Sequence, residues 1–154
     1  MNIVTCIKQT PDSAAKLQVE NKHVTWGDSP LIVNPWDEYA YEEGLLLREK
    51  LGGKLTAISM GPESAIEALR TCLAVGCDEA VLISDAILKG SDSAATAYSL
   101  AKAIQKLGEV DLVLVGKQAI DGDSGLTASQ LARNLGWPLL SQVIKIAEID
   151  PAAK

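Results

Sequence analysis

Short apolar runs rich in β-branched residues recur at "NIVTCIK" (2–8), "KLTAISM" (54–60), "EAVLIS" (79–84), "DLVLVG" (111–116) and "SQVIKIAEI" (141–149). Each has the length of a strand, and the stretches between them have the length and spacing of helices. This alternation predicts βαβ units, hence an α/β domain with a doubly wound, mostly parallel sheet and helices on both faces. One piece breaks the rhythm. "LQVENKHVTWG" (17–27) alternates about Asn21-Lys22 and predicts a small hairpin at one edge.

The helix boundaries are marked by residues suited to helix ends. Asn34 can cap a helix whose first position is Pro35 and whose first turn carries Asp37 and Glu38, closing at Gly52 or Gly53. A second opens after Met60-Gly61 with Pro62 and Glu63, and its Ala65, Leu69 and Leu73 share a face before Gly76. A third starts at Ser91/Asp92/Ser93, turns Ala97, Leu100, Ala101 and Ile104 inward and ends at Gly108. The fourth is expected to be capped by Asp123 or Ser124, with Ala128, Leu131, Ala132 and Leu135 on one face before Gly136.

Composition narrows the class without changing this picture. A length of 154 residues with 47% hydrophobic content suits a single domain spanning 1–154. The net charge of -6 speaks against nonspecific nucleic-acid binding. No signal-type leader or long apolar span is visible, so a soluble cytoplasmic protein without direct membrane insertion is expected. Cys6, Cys72 and Cys77 lie among apolar neighbours and are expected to be reduced and buried. The spacing in "CLAVGC" does not suit zinc, and His23, the one histidine, reads as a surface residue. Trp26, Trp36 and Trp137 read as packing residues.

In an open parallel sheet, ligands bind beyond the carboxyl ends of the strands, where the winding direction reverses. The loops to inspect are "KQTPD" (8–12), "NPWDE" (34–38), "MGPE" (60–63) and "GKQAIDGDSG" (116–125). The last carries the most chemistry. Gly116, Gly122 and Gly125 permit close backbone approach, and the amides of Gly125, Leu126 and Thr127 are expected to point from the first helical turn toward an anion. Ser124 and Thr127 add hydroxyls and Lys117 a charge, while Asp121 and Asp123 suit ribose hydroxyls, lysine pairing or helix capping better than a bare phosphate. From the residues alone three readings stay open: a nucleotide cradle, a structural connection, and a metal or acid–base site. No GxGxxG, P-loop or GxSxG pattern is present.

Taken together, "CIKQTPDS", "NPWDEYAYEEGLLLREK", "SMGPESAIEALRTCLAVGCDEAVLISD" and "DLVLVGKQAIDGDSG" followed by "LARNLGWP" resemble the β subunits of electron transfer flavoproteins, in order from about residue 3 to residue 144. The resemblance implies an adenine-nucleotide-binding domain that pairs with an α subunit holding the redox-active FAD. Such heterodimers take electrons from flavin dehydrogenases, including the acyl-CoA dehydrogenases of fatty acid oxidation, and pass them to a quinone oxidoreductase or another acceptor. The chain is then an electron-carrier subunit with no catalytic acid or base of its own, and no metal.

Carried over by position, the resemblance implies that Cys6, Asn34, Pro35, Trp36, Asp37, Met60, Gly116, Lys117, Gln118, Ala119, Ile120, Asp121, Gly122, Asp123, Ser124, Gly125, Leu126 and Thr127 surround the nucleotide. The phosphate falls at the amides near Ser124 to Thr127. AMP is the implied ligand, with a second FAD, as in bifurcating members, the alternative. AMP-binding members commonly read asparagine-glutamine-threonine-glycine where this chain has Gly125-Leu126-Thr127-Ala128. Family members also continue into a C-terminal arm beyond the last matching segment. That contrast raises a further expectation, a short adenine-nucleotide-binding module without redox work; a third and remoter one, resting on the loop's carboxylates, is a metal enzyme using Asp121 and Asp123.

Overall fold

The computed structural model describes residues 1–20 and 22–152. Asn21, at the centre of the expected hairpin turn, and the side chain of His23, expected at the surface, lie outside what is described.

The chain runs β1 (Asn2–Cys6), β2 (Gln9–Pro11), β3 (Gln18–Glu20), β4 (His23–Thr25), β5 (Leu31–Val33), α1 (Pro35–Leu51), β6 (Lys54–Met60), α2 (Ile66–Val75), β7 (Glu79–Ile83), α3 (Ser93–Lys106), β8 (Leu112–Val115) and α4 (Thr127–Leu135). Strands β7, β6, β1 and β8 form, in that order, a four-stranded parallel sheet. The chain winds outward from β1 through β6 to β7 and then returns to place β8 on the other side of β1. The direction therefore reverses between β1 and β8, the doubly wound arrangement expected from the alternation of runs.

Period-two alternation sorts the strand residues between two apolar layers. Ile3, Leu55, Ala57, Leu112 and Leu114 face Tyr41 and Leu45 of α1 and Ala68, Leu69 and Cys72 of α2. Val4, Cys6, Ile58, Val113 and Val115 face Ala97, Leu100, Ala101 and Ile104 of α3 and Leu131 of α4. A fully buried side chain such as Ile3, Leu55 or Ile58 stabilises the fold by about 2 kcal/mol. The β1–β8 register is clamped at its start: the Asn2 N–H donates to Asp111 Oδ2 at 2.7 Å, and the Asn2 side chain donates to the Glu109 carbonyl at 3.0 Å.

Four local expectations need correction. Residues 141–149 form no strand: Val143 and Ile144 are exposed, and only Ile146 and Ile149 rest against the α1/α2 layer. β-branched composition suits a pleated surface but supplies no ladder partner, and without one there is no strand. The first apolar run stops at Cys6, and the following residues form β2, which pairs antiparallel with β5. In α2, Ala65 and Leu69 are buried as expected but Leu73 is 43% exposed: the inward stripe runs through Ala65, Ala68, Leu69 and Cys72, and Leu73 falls at its edge. Finally, α4 begins at Thr127, so neither Asp123 nor Ser124 caps it, and its N-cap position is held by Leu126 without a side-chain bond.

The other boundaries agree with the sequence. β3 and β4 form the expected hairpin as a separate two-stranded sheet, and Asp92 caps α3 by accepting from the Ala95 N–H at 2.8 Å. Cys6, Cys72 and Cys77 are free and buried. Among the described residues, no helix is long and apolar enough to cross a membrane.

Candidate functional site

The winding direction reverses between β1 and β8, and in a doubly wound sheet the carboxyl ends of two such strands are where a ligand crevice is expected. Three segments meet there: Ile7 and Lys8 leaving β1, Asn34–Asp37 entering α1, and Gly116–Thr127 joining β8 to α4.

Asn34 fastens two of these segments. It stands at the N-cap position of α1, yet its side chain makes no capping bond. Its Nδ2 instead donates to the Gln118 carbonyl at 2.9 Å, and its Oδ1 accepts from the Ile120 N–H at 3.2 Å. With Asn34 only 1% exposed, removing the side chain strands two backbone groups away from water. Asn34→Ala is expected to cost about 2 kcal/mol and to speed hydrogen exchange at the Ile120 amide. A urea midpoint and an Ile120 exchange rate both matching the parent protein would show that the tie is unimportant.

Asp37 lies beneath the crevice rather than in it. Its Oδ2 accepts from the Lys8 N–H at 2.8 Å, and the carboxylate also faces the Gly116 N–H and the Asn34 amide. Burial pushes its carboxyl up to about 6, against the opposing effects of the Lys8 N–H bond, the Asn34 side chain, the Lys8 charge and the Gly116 N–H. One carboxylate thus joins the ends of β1 and β8 to the first turn of α1.

Gly116 is required by the same junction. A Cβ built there would fall 2.1 Å from Asp37 Oδ1 and 2.7 Å from the Trp36 carbonyl carbon. The close approach that this glycine permits is therefore to α1. Gly122 faces open space, and Gly125 is needed for its φ of +62°.

The rest of the loop is held by its own polar groups. Lys8 Nζ binds both oxygens of Asp121, at 2.6 and 2.7 Å, which is lysine pairing, one of the roles foreseen for that aspartate. Gln118 Nε2 donates to Asp123 Oδ1, and the Asp123 N–H donates to the Ala119 carbonyl at 2.9 Å. Asp123 holds a left-handed φ of 52°. Lys117 Nζ stands 5.4 Å from the centre of the Trp36 ring, which is 38% exposed at the rim and so not purely a packing residue.

Past Asp123 the amides are free. Among the described residues, no carbonyl or side chain accepts from the N–H groups of Ser124, Gly125, Leu126 or Thr127. Left-handed Gly125 is followed by Leu126 at φ −94° and ψ −21°, a succession that turns neighbouring N–H groups toward a common concavity. The start of α4 adds the positive end of its dipole. These are the chemical requirements of an anion cradle.

The crevice brings together Asn34, Trp36 and the 116–127 loop from the expected set. Pro35 serves as the first helical residue. Cys6 is buried in the layer against α3 and α4, with Met60 packed at its edge. Burial, with a smaller contribution from the nearby Asp37 carboxylate, pushes the Cys6 thiol up to about 12, so it stays protonated at neutral pH. Lys8 was absent from the expected set. Its signal in the sequence is its place directly after the first apolar run, in a loop already marked for inspection.

The sequence from residue 27 to 153 matches the family model described as the electron transfer flavoprotein domain. The chain is 43% identical to Protein FixA of Azotobacter vinelandii over 158 aligned positions, covering all of this chain and 56% of that protein. It is 45% identical to the electron transfer flavoprotein subunit beta of Thermoanaerobacterium thermosaccharolyticum, covering 95% of this chain and 56% of that one. It is 42% identical to the caffeyl-CoA reductase-Etf complex subunit CarD of Acetobacterium woodii, covering 99% and 59%. The chain thus spans a little over half the length of these relatives.

Proposed function

Because this chain belongs to the electron transfer flavoprotein family, we propose that it is the nucleotide-binding part of a β-type subunit. In this reading it works in the cytoplasm beside an α subunit that holds FAD. Electrons pass from flavin dehydrogenases, acyl-CoA dehydrogenases among them, through the pair to a quinone oxidoreductase or another acceptor. The single observation that carries the nucleotide assignment is the run of four unpartnered amides, Ser124–Thr127, at the winding reversal.

The residues fit an adenosine monophosphate. The amides and the α4 dipole meet the phosphate, and Lys117 supplies a charge without an ion-pair partner among the described residues. Trp36, 38% exposed beside Lys117, supplies aromatic surface at the same place. Asn34 and Asp37 hold the two walls at fixed separation, so that little order has to be created on binding. The redox chemistry is the flavin's. The work of this chain is to bind, orient and exclude water.

A second reading, FAD in this crevice, is favoured by Leu126, 51% exposed at the cradle where AMP-binding members carry an amide side chain. Denaturing the complex with its α subunit and identifying the released nucleotides by chromatography separates the two. One FAD with one AMP is the expected result, two FAD would install the second reading, and no adenine nucleotide beyond the α subunit's FAD would remove the assignment.

A further inference from the structure

The crevice carries charge that its phosphate cradle does not use. Lys8 and Lys117 stand on its rim with Asp121 and Asp123, and Asp37 lies beneath. Lys8 spends two of its three N–H donors on the two oxygens of Asp121. The Asp121 side chain is 17% exposed and that of Lys8 48%, so the pair closes across the gap between the end of β1 and the loop after β8. Each Asp121 oxygen keeps lone-pair capacity, but the charge of the carboxylate is matched by Lys8. With its charge matched, Lys8 is a poor phosphate ligand.

We propose that the Lys8–Asp121 pair sets the charge preference of the crevice: Asp121 withholds Lys8 from the ligand, so that the site selects nucleotides bearing one phosphate over those bearing three. The inference rests on the nucleotide reading above. Its physical basis is that Lys117 and the Ser124–Thr127 amides together offer about the countercharge of a single phosphate. A ligand with further phosphates brings more negative charge to a loop that already carries Asp121 and Asp123. Asp121 is a positioning residue in this scheme, acting through Lys8.

Titration of the full chain with adenosine, AMP and ATP, in calorimetry at constant ionic strength, tests the pair. Asp121→Asn keeps the side-chain shape and frees Lys8. It is expected to tighten AMP about fivefold, to tighten ATP by a larger factor, and to leave adenosine within about twofold. Lys8→Met bares Asp121 and is expected to weaken AMP about fivefold. The double variant, with both charges gone, returns AMP to within about twofold of the parent. An equal change for adenosine, AMP and ATP would mean that the pair only holds the loop in shape, and the proposal fails. A double variant as weak as Lys8→Met would make Lys8 a direct phosphate ligand, which also overturns it. If the parent chain binds AMP but Asp121→Asn does not discriminate by ligand charge, only this inference falls. If the parent binds none of the three, the nucleotide reading falls with it. Both side chains reach solvent, so the variants are expected to retain the parent's circular dichroism, and a salt dependence of AMP binding that steepens in Asp121→Asn supplies an independent check.

Discussion

Replacing Gly116 by alanine is expected to destabilise the protein by about 3 kcal/mol or more and to weaken nucleotide binding. The new methyl carbon would sit 2.1 Å from Asp37 Oδ1 and 2.7 to 2.8 Å from the Trp36 carbonyl, all of them atoms of a packed helix start. Relief requires α1 to lift off β8 or the Asp37 carboxylate to swing away, and either movement breaks the bonds to Lys8 and Gly116. Gly122→Ala, six residues on and facing open space, is the matched control, expected within about 0.5 kcal/mol of the parent. Denaturant midpoints measure both. A Gly116→Ala protein as stable as the control would show that α1 and β8 meet less closely than described.

The second large effect is one of pH. Asp37 titrates near 6 in the folded chain against an ordinary 3.8, so between these values the folded state holds a proton that the unfolded state has lost. Its contribution to stability is greatest below about pH 4 and falls as pH rises to about 6, then levels. The gap of about two units corresponds to about 3 kcal/mol. The direction is opposite to that of a salt-bridged aspartate, which loses stability on acidification. Unfolding free energies of the parent and Asp37→Asn between pH 4 and 7 measure this contribution as their difference. A difference that stays constant across that window would place the Asp37 carboxyl at its ordinary value.

Much of the architecture was readable because it depends on local rules. Four of the five strand-like runs became sheet strands, and the layer to which each residue contributes follows from alternation alone. Asp92, Pro35 and the hairpin at 18–25 obeyed short-range chemistry in the same way. Several of the failures were settled by partners remote in sequence. Residues 141–149 have strand composition but no neighbour to pair with. Pro11, with no N–H to donate, hid a strand that exists because Leu31–Val33 lies opposite. Asn34 has the composition of a cap and was diverted by two backbone groups more than eighty residues away. Asp123, by contrast, was taken up within its own loop by Gln118.

The crevice followed the same division. The meeting of the β1 and β8 ends was legible from the alternation of runs, and the unpartnered amides of Ser124–Thr127 lie in the glycine-marked loop before α4. The pairing of Lys8 with Asp121 was not legible, since neither residue shows in its own neighbourhood which of the nearby charges it will meet. Gly116 was recognised as a point of close approach, but the element that approaches is α1.

The interior position of β1 also makes one side of the sheet depend on contacts distant in sequence. Of the described strands of the parallel sheet, the earliest in sequence lies inside the sheet, and its second neighbour, β8, begins only at Leu112. The bonds that close this side span 109 residues at Asn2–Asp111, 113 at Lys8–Asp121 and 84 at Asn34–Gln118. Contacts so distant carry the largest loop-closure cost and form late. During synthesis, β1, α1, β6, α2 and β7 can gather as a half-sheet with one side of β1 still bare, and the crevice exists only once β8 has docked there. A ligand bound between β1 and the loop after β8 would favour the docked arrangement and so help hold β8 in place.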